Sequence, residues 1–242
     1  MSAVEATTGG PARANGSPGP GSVITVDTVT RTFLRGQAAV RALRGISFTV
    51  PRGELLAVCG RSGSGKTTLL NVIAGLDRPT SGRIWVDGQE VTAMSREDTL
   101  RLRRETVALV FQSFALLPML SASENVGIPM RLSRVRPADR ERRARDLLAL
   151  VGIEDRAHQR PAELSGGEQQ RVAMARALAS NATVLLADEP TGQLDSRSAG
   201  QIMTLLRSIV HAEGITAIVA THDRALTDAD DRVLVMRNGQ LA

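Results

Sequence analysis

The stretch Gly60-Arg61-Ser62-Gly63-Ser64-Gly65-Lys66-Thr67-Thr68 limits what this chain can fold into more than any other part of it. It fits G-x-x-x-x-G-K-[ST], a loop whose backbone N–H groups turn inward around a phosphate. Its flanks agree. Residues 55–59 are a continuous apolar run, as expected of a strand buried on both faces. Residues 66–74 read as a helix closed by Gly75, and the start of a helix adds partial positive charge at the phosphate. Lys66 is also the only lysine among 30 basic residues; the others are arginine. The one compact ammonium stands where a cation must reach between phosphates, a task a forked guanidinium does not reproduce.

Around this loop the pattern is that of an α/β protein. Ile24 and Val26 alternate with polar residues as in a half-buried strand, and Ile46, Phe48 and Val50 alternate again before a turn at Pro51-Arg52-Gly53. Residues 83–86 form a short strand with Asp87-Gly88 as its hairpin turn, so an antiparallel region precedes and flanks the loop. Ser95 with Asp98 caps a short helix, and residues 106–111 are a strand ending at Gln112. Residues 113–176 then turn helical. Ser121 and Glu124 make a capping box, Pro137 suits a first turn, and Ala144, Leu147, Leu148 and Val151 recur at helical spacing up to Gly152. The sheet pattern resumes at 183–187, 215–220 and 232–236, with a helix carrying Ile202, Leu205, Leu206 and Ile209 between the first two. Alternating strands and helices imply a mostly parallel sheet, whose ligands sit at the strands' carboxyl ends. Gly60, Gln112, Asp188 and His222 all fall there. Residues 1–21 are rich in Gly, Pro, Ala and Ser without apolar period, and read as a disordered tail.

Two further segments carry chemistry. The apolar residues 184–187 end at Asp188, the second nucleotide-binding motif of P-loop proteins. Asp188 would hold Mg²⁺ while the Thr67 hydroxyl ligates it directly. Glu189 beside it brings a carboxylate able to orient and deprotonate a water. In Leu164-Ser165-Gly166-Gly167-Glu168-Gln169-Gln170-Arg171, Ser165 reads as the cap of a long helix, a second N-terminus suited to an anion.

With this segment the chain resembles the ABC transporter ATPases, over all but its tail. The markers stand in that family's order: residues 60–67, Gln112, residues 164–168, Asp188-Glu189, Leu194-Asp195 and His222. The resemblance implies a P-loop NTPase of RecA-like core, with an N-terminal antiparallel β region and an inserted α-helical subdomain. The core would be 22–112 and 177–242, the subdomain 113–176. It further implies that two copies pair head to tail around two ATP molecules. Gly60, Arg61, Ser62, Gly63, Ser64, Gly65, Lys66, Thr67 and Thr68 would hold the phosphates of one ATP. Ser165, Gly166 and Gly167 of the opposite copy would cap its γ-phosphate, and Asp195 would line the seam. Gln112 would sense Mg²⁺ and the attacking water, His222 would contact the γ-phosphate, and Glu189 would be the general base. Phe33 matches the aromatic that stacks on adenine, where Tyr is commoner.

Residues 111–118, 124–126 and 192–195 look like the lipoprotein-release and macrolide-export ATPases, which pair with FtsX-like permeases. Gln193 departs from the usual Asn of that group. A cell-division ATPase and an importer ATPase remain alternatives. A DNA-repair ATPase would carry a long coiled coil between Gln112 and Leu164, an interval of only 52 positions here without sustained heptads. A translation-associated member would carry two such domains, and this chain has one.

Nucleic acid is a poor partner for the +5 net charge, because aromatics are 2% and Tyr is absent. No apolar run approaches the ~20 residues that cross a bilayer, no secretory signal opens the chain, and the single Cys fits a reducing compartment. The expected place is peripheral, on the cytoplasmic face of the cell membrane. Phe114, Leu116, Leu117, Met119 and Leu120 crowd one short window and are the expected contact with the permease.

Overall fold

The structure, a computed structural model, describes residues 21–242 apart from 37, 224, 226 and 228–231. Except for Gly21, the expected tail lies outside the described residues.

A long hairpin opens the fold: β1 (Ser22–Arg35) pairs antiparallel with β2 (Ala38–Pro51). After β3 (Leu55–Cys59) and α1 (Lys66–Ile73) come β4 (Ser81–Val86) and β5 (Gln89–Glu90). These last two join the hairpin in a four-stranded antiparallel sheet of order β2-β1-β4-β5. The expected half-burial of β1 does not hold at its start. Val23, Ile24, Thr25 and Val26 are all buried, because this sheet is covered on both sides there. The Asp87-Gly88 turn forms as expected, both residues at positive φ (47° and 77°).

Next come α2 (Arg96–Glu105), β6 (Val107–Val110), α3 (Ala122–Leu132), α4 (Pro137–Leu150) and α5 (Gly166–Leu178). The chain closes with β7 (Val184–Asp188), α6 (Ser196–Glu213), β8 (Thr216–Thr221), β9 (Arg232–Arg237) and β10 (Gln240–Leu241). The second sheet has the order β10-β9-β3-β8-β7-β6, parallel throughout except for the β10 edge.

Each central strand feeds two cores, which is why its sequence is apolar without alternation. Leu185, Ala187, Ala217 and Val219 face a core shared with α3 to α6. Val184, Leu186, Ile218 and Ala220 face one shared with α1 and the antiparallel sheet. Burying a leucine or valine side chain in such a place stabilises by roughly 1.5–3 kcal/mol. The result is a stiff floor whose strand ends sit at fixed heights. Among the described residues no helix is long and apolar enough to cross a membrane.

Candidate functional site

Strand register assembles the site. Cys59 pairs with Thr221 and Asp188 with Ala220, so the residues that follow, Gly60, Glu189 and His222, leave the sheet side by side. Val110 pairs with Ala187, which brings Gln112 out beside them. Gly60 and Gly65 are required by close approach: a Cβ on Gly60 would lie 2.5 Å from Met236 O, and one on Gly65 2.5 Å from Ala42 O. Gly65 also sits at φ 106°. The loop thus folds tightly over the end of β3 and starts α1 at Lys66, directing the first N–H groups of that helix into a cavity of about 1030 Å³.

Arg61, Ser62, Gly63, Gly65, Lys66, Thr67 and Thr68 line this cavity, with Gln112, Glu189 and His222 across from them. Lys66 is 5% exposed. Its Nζ donates to Gly60 O at 2.7 Å and Arg61 O at 3.3 Å, and lies 3.1 Å from Glu189 Oε1. The other carboxylate oxygen of Glu189, Oε2, is 2.5 Å from His222 Nδ1. Glu189 itself is left-handed, φ 48°, an uncommon conformation for a residue with a Cβ and one that recurs at functional sites. Its N–H is anchored on Ala220 O at 2.9 Å.

Asp188 sits deeper. Burial pushes its carboxyl above the ordinary range, and the neighbouring Glu189 charge adds to this. A hydrogen bond from Thr67 and the charge of Lys66 pull the other way. Its Oδ1 is buried with no hydrogen-bond partner, an arrangement that natural structures keep rare. An unpaired hard oxygen beside a threonine hydroxyl suits a magnesium ion, which takes one or two protein ligands and completes its shell with phosphate and water. Among the described residues no group of three His, Cys, Asp or Glu gathers into a metal cage. Gln112 is placed by an absence of bulk: a Cβ on Gly192 would stand 2.7 Å from its Nε2.

The remaining expected residues do not line the cavity. Ser165 caps α5: its hydroxyl accepts from Glu168 N–H, while Glu168 Oε2 accepts from Ser165 N–H at 2.8 Å. The Ser165 N–H and hydroxyl, both donating to Glu168 Oε2 at 2.8 Å, and Arg156 Nε at 3.1 Å from Oε1 hold the Glu168 carboxyl below its usual pKa. Gly166 and Gly167 follow on the first turn. Asp195 caps α6, accepting from Arg197 and Ser198 N–H at 3.0 Å each. Phe33 is 37% exposed on β1, with the Arg31 guanidinium 4.3 Å above its ring. Its cross-strand neighbour Val40 lines the cavity instead, with Ala39, Arg41 and Ala42. Sequence reading missed this β2 wall. It carries no motif, and only the pairing of a fourteen-residue strand brings it over the loop.

A phosphate loop on a parallel sheet, with an aspartate whose Oδ1 is buried and unpaired and a neighbouring carboxylate, defines a P-loop nucleotide hydrolase. Comparison narrows the class. The family model described as ABC transporter matches residues 43–192. The chain is 46% identical, over 93% of its length, to the macrolide export ATP-binding/permease protein MacB of Azoarcus sp. (strain BH72), of which it covers 34%. It is 45% identical over 88% of its length to an uncharacterized ABC transporter ATP-binding protein of Thermotoga maritima, covering 91% of that protein. A solved dimeric post-hydrolysis state of the ATP-binding cassette MJ0796 bound to ADP and Pi superimposes with TM-score 0.83 at 36% identity, over 90% of this chain and 96% of that one. The chain belongs to the ABC transporter family, as an ATP-binding and ATP-hydrolysing subunit. It spans about one third of the length of the macrolide-export relatives.

Proposed function

We propose that this chain hydrolyses ATP between two copies of itself and drives an FtsX-like membrane permease from the cytoplasmic face of the membrane. The observation that carries this reading is the juxtaposition of Lys66, the unpaired Asp188 oxygen and the left-handed Glu189 at one end of the parallel sheet. The loop amides and Lys66 bind the β- and γ-phosphates. Thr67 and Asp188 hold Mg²⁺, which when bound neutralises charge that develops on the phosphate oxygens. Glu189 takes a proton from water as its oxygen attacks the γ-phosphorus, and the bond to the ADP oxygen breaks. His222 orients that carboxylate through the contact already present at 2.5 Å. Gln112 meets the same water from the β6 side.

The head-to-tail pair is supported by the distribution of the anion-binding termini. Ser165, Gly166 and Gly167 are absent from the lining of the chain's own cavity, so they are free to cap the γ-phosphate of a second copy, with Asp195 along the seam. Two solved relatives are dimers, one of them with ADP and Pi bound. In this reading 22–112 and 177–242 act as the core and 113–176 as a helical arm toward the permease. Phe33 stacks on adenine only if the β1–β2 hairpin turns its exposed ring inward. The permease assignment is supported by the macrolide-export relatives, named as joint ATP-binding/permease proteins.

Glu189→Gln tests the reading. The variant is expected to lose hydrolysis by about a thousandfold, in line with loss of a general base, yet to bind ATP and elute as a dimer in its presence. Turnover near the wild-type rate, or a strictly monomeric ATP-bound variant, would sink it.

A further inference from the structure

Arg176 makes contacts that the nucleotide chemistry does not use. It lies in the last turn of α5, and its guanidinium forks onto two successive carbonyls: Nη1 donates to Ala115 O at 2.6 Å and Nη2 to Phe114 O at 3.0 Å. Burial alone shifts its pKa, downward, and among the described residues no carboxylate pairs with it. The two residues it holds are both left-handed, Phe114 at φ 55° and Ala115 at φ 50°. Side chains with a Cβ disfavour that region, and two in succession are rarer still. An arginine that merely satisfied two carbonyls would not need them to be strained, and strain of this kind persists only where the surroundings enforce it.

The loop so held joins three parts of the molecule. It starts directly after Gln112, which lines the nucleotide cavity. The tip of the Phe114 ring comes within 3.8 Å of the place a Cβ would take on Gly166, the first residue of α5. Its far end is fixed by wholly buried Asn125, whose Oδ1 accepts from Leu117 N–H at 2.8 Å and whose Nδ2 donates to the carbonyls of Leu117, Leu120 and Ser121. Leu117 and Met119 are left pointing outward, 50% and 74% exposed.

We propose that Arg176 is a positioning residue that holds residues 113–116 in a strained left-handed turn, so that Gln112 and the N-terminal end of α5 are fixed relative to each other. The inference rests on the ATP-hydrolysis reading above. Lysine is a poor substitute, because its ammonium lacks the planar fork whose two nitrogens each take one of these carbonyls, at 2.6 and 3.0 Å.

The test compares the intact wild-type chain with Arg176→Ala, Arg176→Lys and the double variant Arg176→Ala/Ala115→Gly, by amide hydrogen exchange and steady-state ATP hydrolysis. In Arg176→Ala, exchange at residues 114–117 should rise about tenfold, the loss of two charge-assisted hydrogen bonds at a local opening. The kcat should fall about tenfold with KM for ATP within about twofold, since the phosphate loop is untouched. Adding Ala115→Gly removes the steric penalty of the left-handed turn and should bring both readouts back to within about threefold of wild type. A residue that mattered only for general stability would not be rescued by a glycine. Unchanged exchange in Arg176→Ala overturns the proposal, as does a double variant that melts cooperatively yet shows no rescue. Should Arg176→Ala fail to fold, Arg176→Lys is read by the same two measurements. A wild-type chain without ATPase activity would fail the functional reading, while the exchange data would still judge the positioning role.

Discussion

Asp188→Asn is expected to stabilise the nucleotide-free protein while abolishing magnesium-dependent turnover. The residue is half-buried at the end of β7, its Oδ1 is buried with no partner, and desolvation is the largest influence raising its pKa. A buried polar atom without a hydrogen bond costs about 1–3 kcal/mol and a charged one more, so a neutral amide in its place costs less. With a net gain of about 1 kcal/mol and about 2–4 °C per kcal/mol for a chain of this size, the variant should melt about 2–4 °C higher. The pH dependence has a definite sign. The folded-state pKa lies above the ordinary 3.8, so the folded protein binds this proton more tightly than the unfolded chain. The penalty is therefore present above the folded pKa and lifts as pH falls through it toward 3.8, so the gap between variant and wild type should close over that window. Differential scanning fluorimetry from about pH 4 to pH 7, with and without MgATP, reads both effects. Wild type should gain about 2.7 kcal/mol when MgATP is a hundredfold above its Kd, and the variant should lose the magnesium-dependent part. A variant that melts below wild type without nucleotide, or that keeps the full MgATP shift, would refute the reasoning.

Lys66→Arg should abolish ATP hydrolysis with the circular dichroism spectrum retained; turnover near the wild-type rate would deny Lys66 its role. Gly192→Ala places a Cβ 2.7 Å from Gln112 Nε2, the free end of a flexible side chain. Stability should change little, but displacing Gln112 should lower kcat about tenfold at constant KM, the scale of a misplaced catalytic group; an unchanged kcat would remove Gln112 from the reacting geometry. Leu117→Asp should prevent co-purification with the permease while basal ATPase persists, because the side chain is half exposed and outside the nucleotide cavity; a complex that survives the substitution puts the contact elsewhere.

The parts of the site legible in the sequence are those that a strand end fixes. Gly60, Gln112, Asp188, Glu189 and His222 each follow a short apolar run, and a parallel sheet brings the ends of such runs to one edge whatever lies between them. The caps were equally readable, since Ser121 with Glu124 and Ser165 with Glu168 need only three residues of spacing. Long-range antiparallel pairing was not readable. The Val40 and Arg41 wall depends on a hairpin with four register shifts, and nothing local in β2 marks it. The Arg176 contact spans 62 positions and answers a backbone conformation that Phe114 and Ala115, both ordinary residues, do not announce. Leu116 split from its neighbours for a similar reason: it is half-buried against the helical core while Leu117 and Met119 are not.

The structure carries several local liabilities, unpaired buried polar atoms and left-handed residues with a Cβ. Some of them, though not the unpaired Gln170 side chain or the left-handed Asn181, gather near the phosphate loop: the unpaired Asp188 oxygen and Ser64 hydroxyl are next to cavity-lining residues in sequence, Glu189 lines the cavity, and the left-handed Phe114 and Ala115 lie in the loop leaving Gln112. The strands beneath them, β3, β7 and β8, are buried almost without a break and carry two cores. A marginally stable chain can keep several strained groups only where the neighbouring packing outweighs them. Glu189 illustrates the balance: its backbone is fixed by the Ala220 carbonyl at 2.9 Å, and its carboxylate is shared between Lys66 and His222. In the proposed reaction a bound phosphate would compete with Glu189 for Lys66 and would leave the carboxylate on His222, so substrate binding would itself release the proposed base.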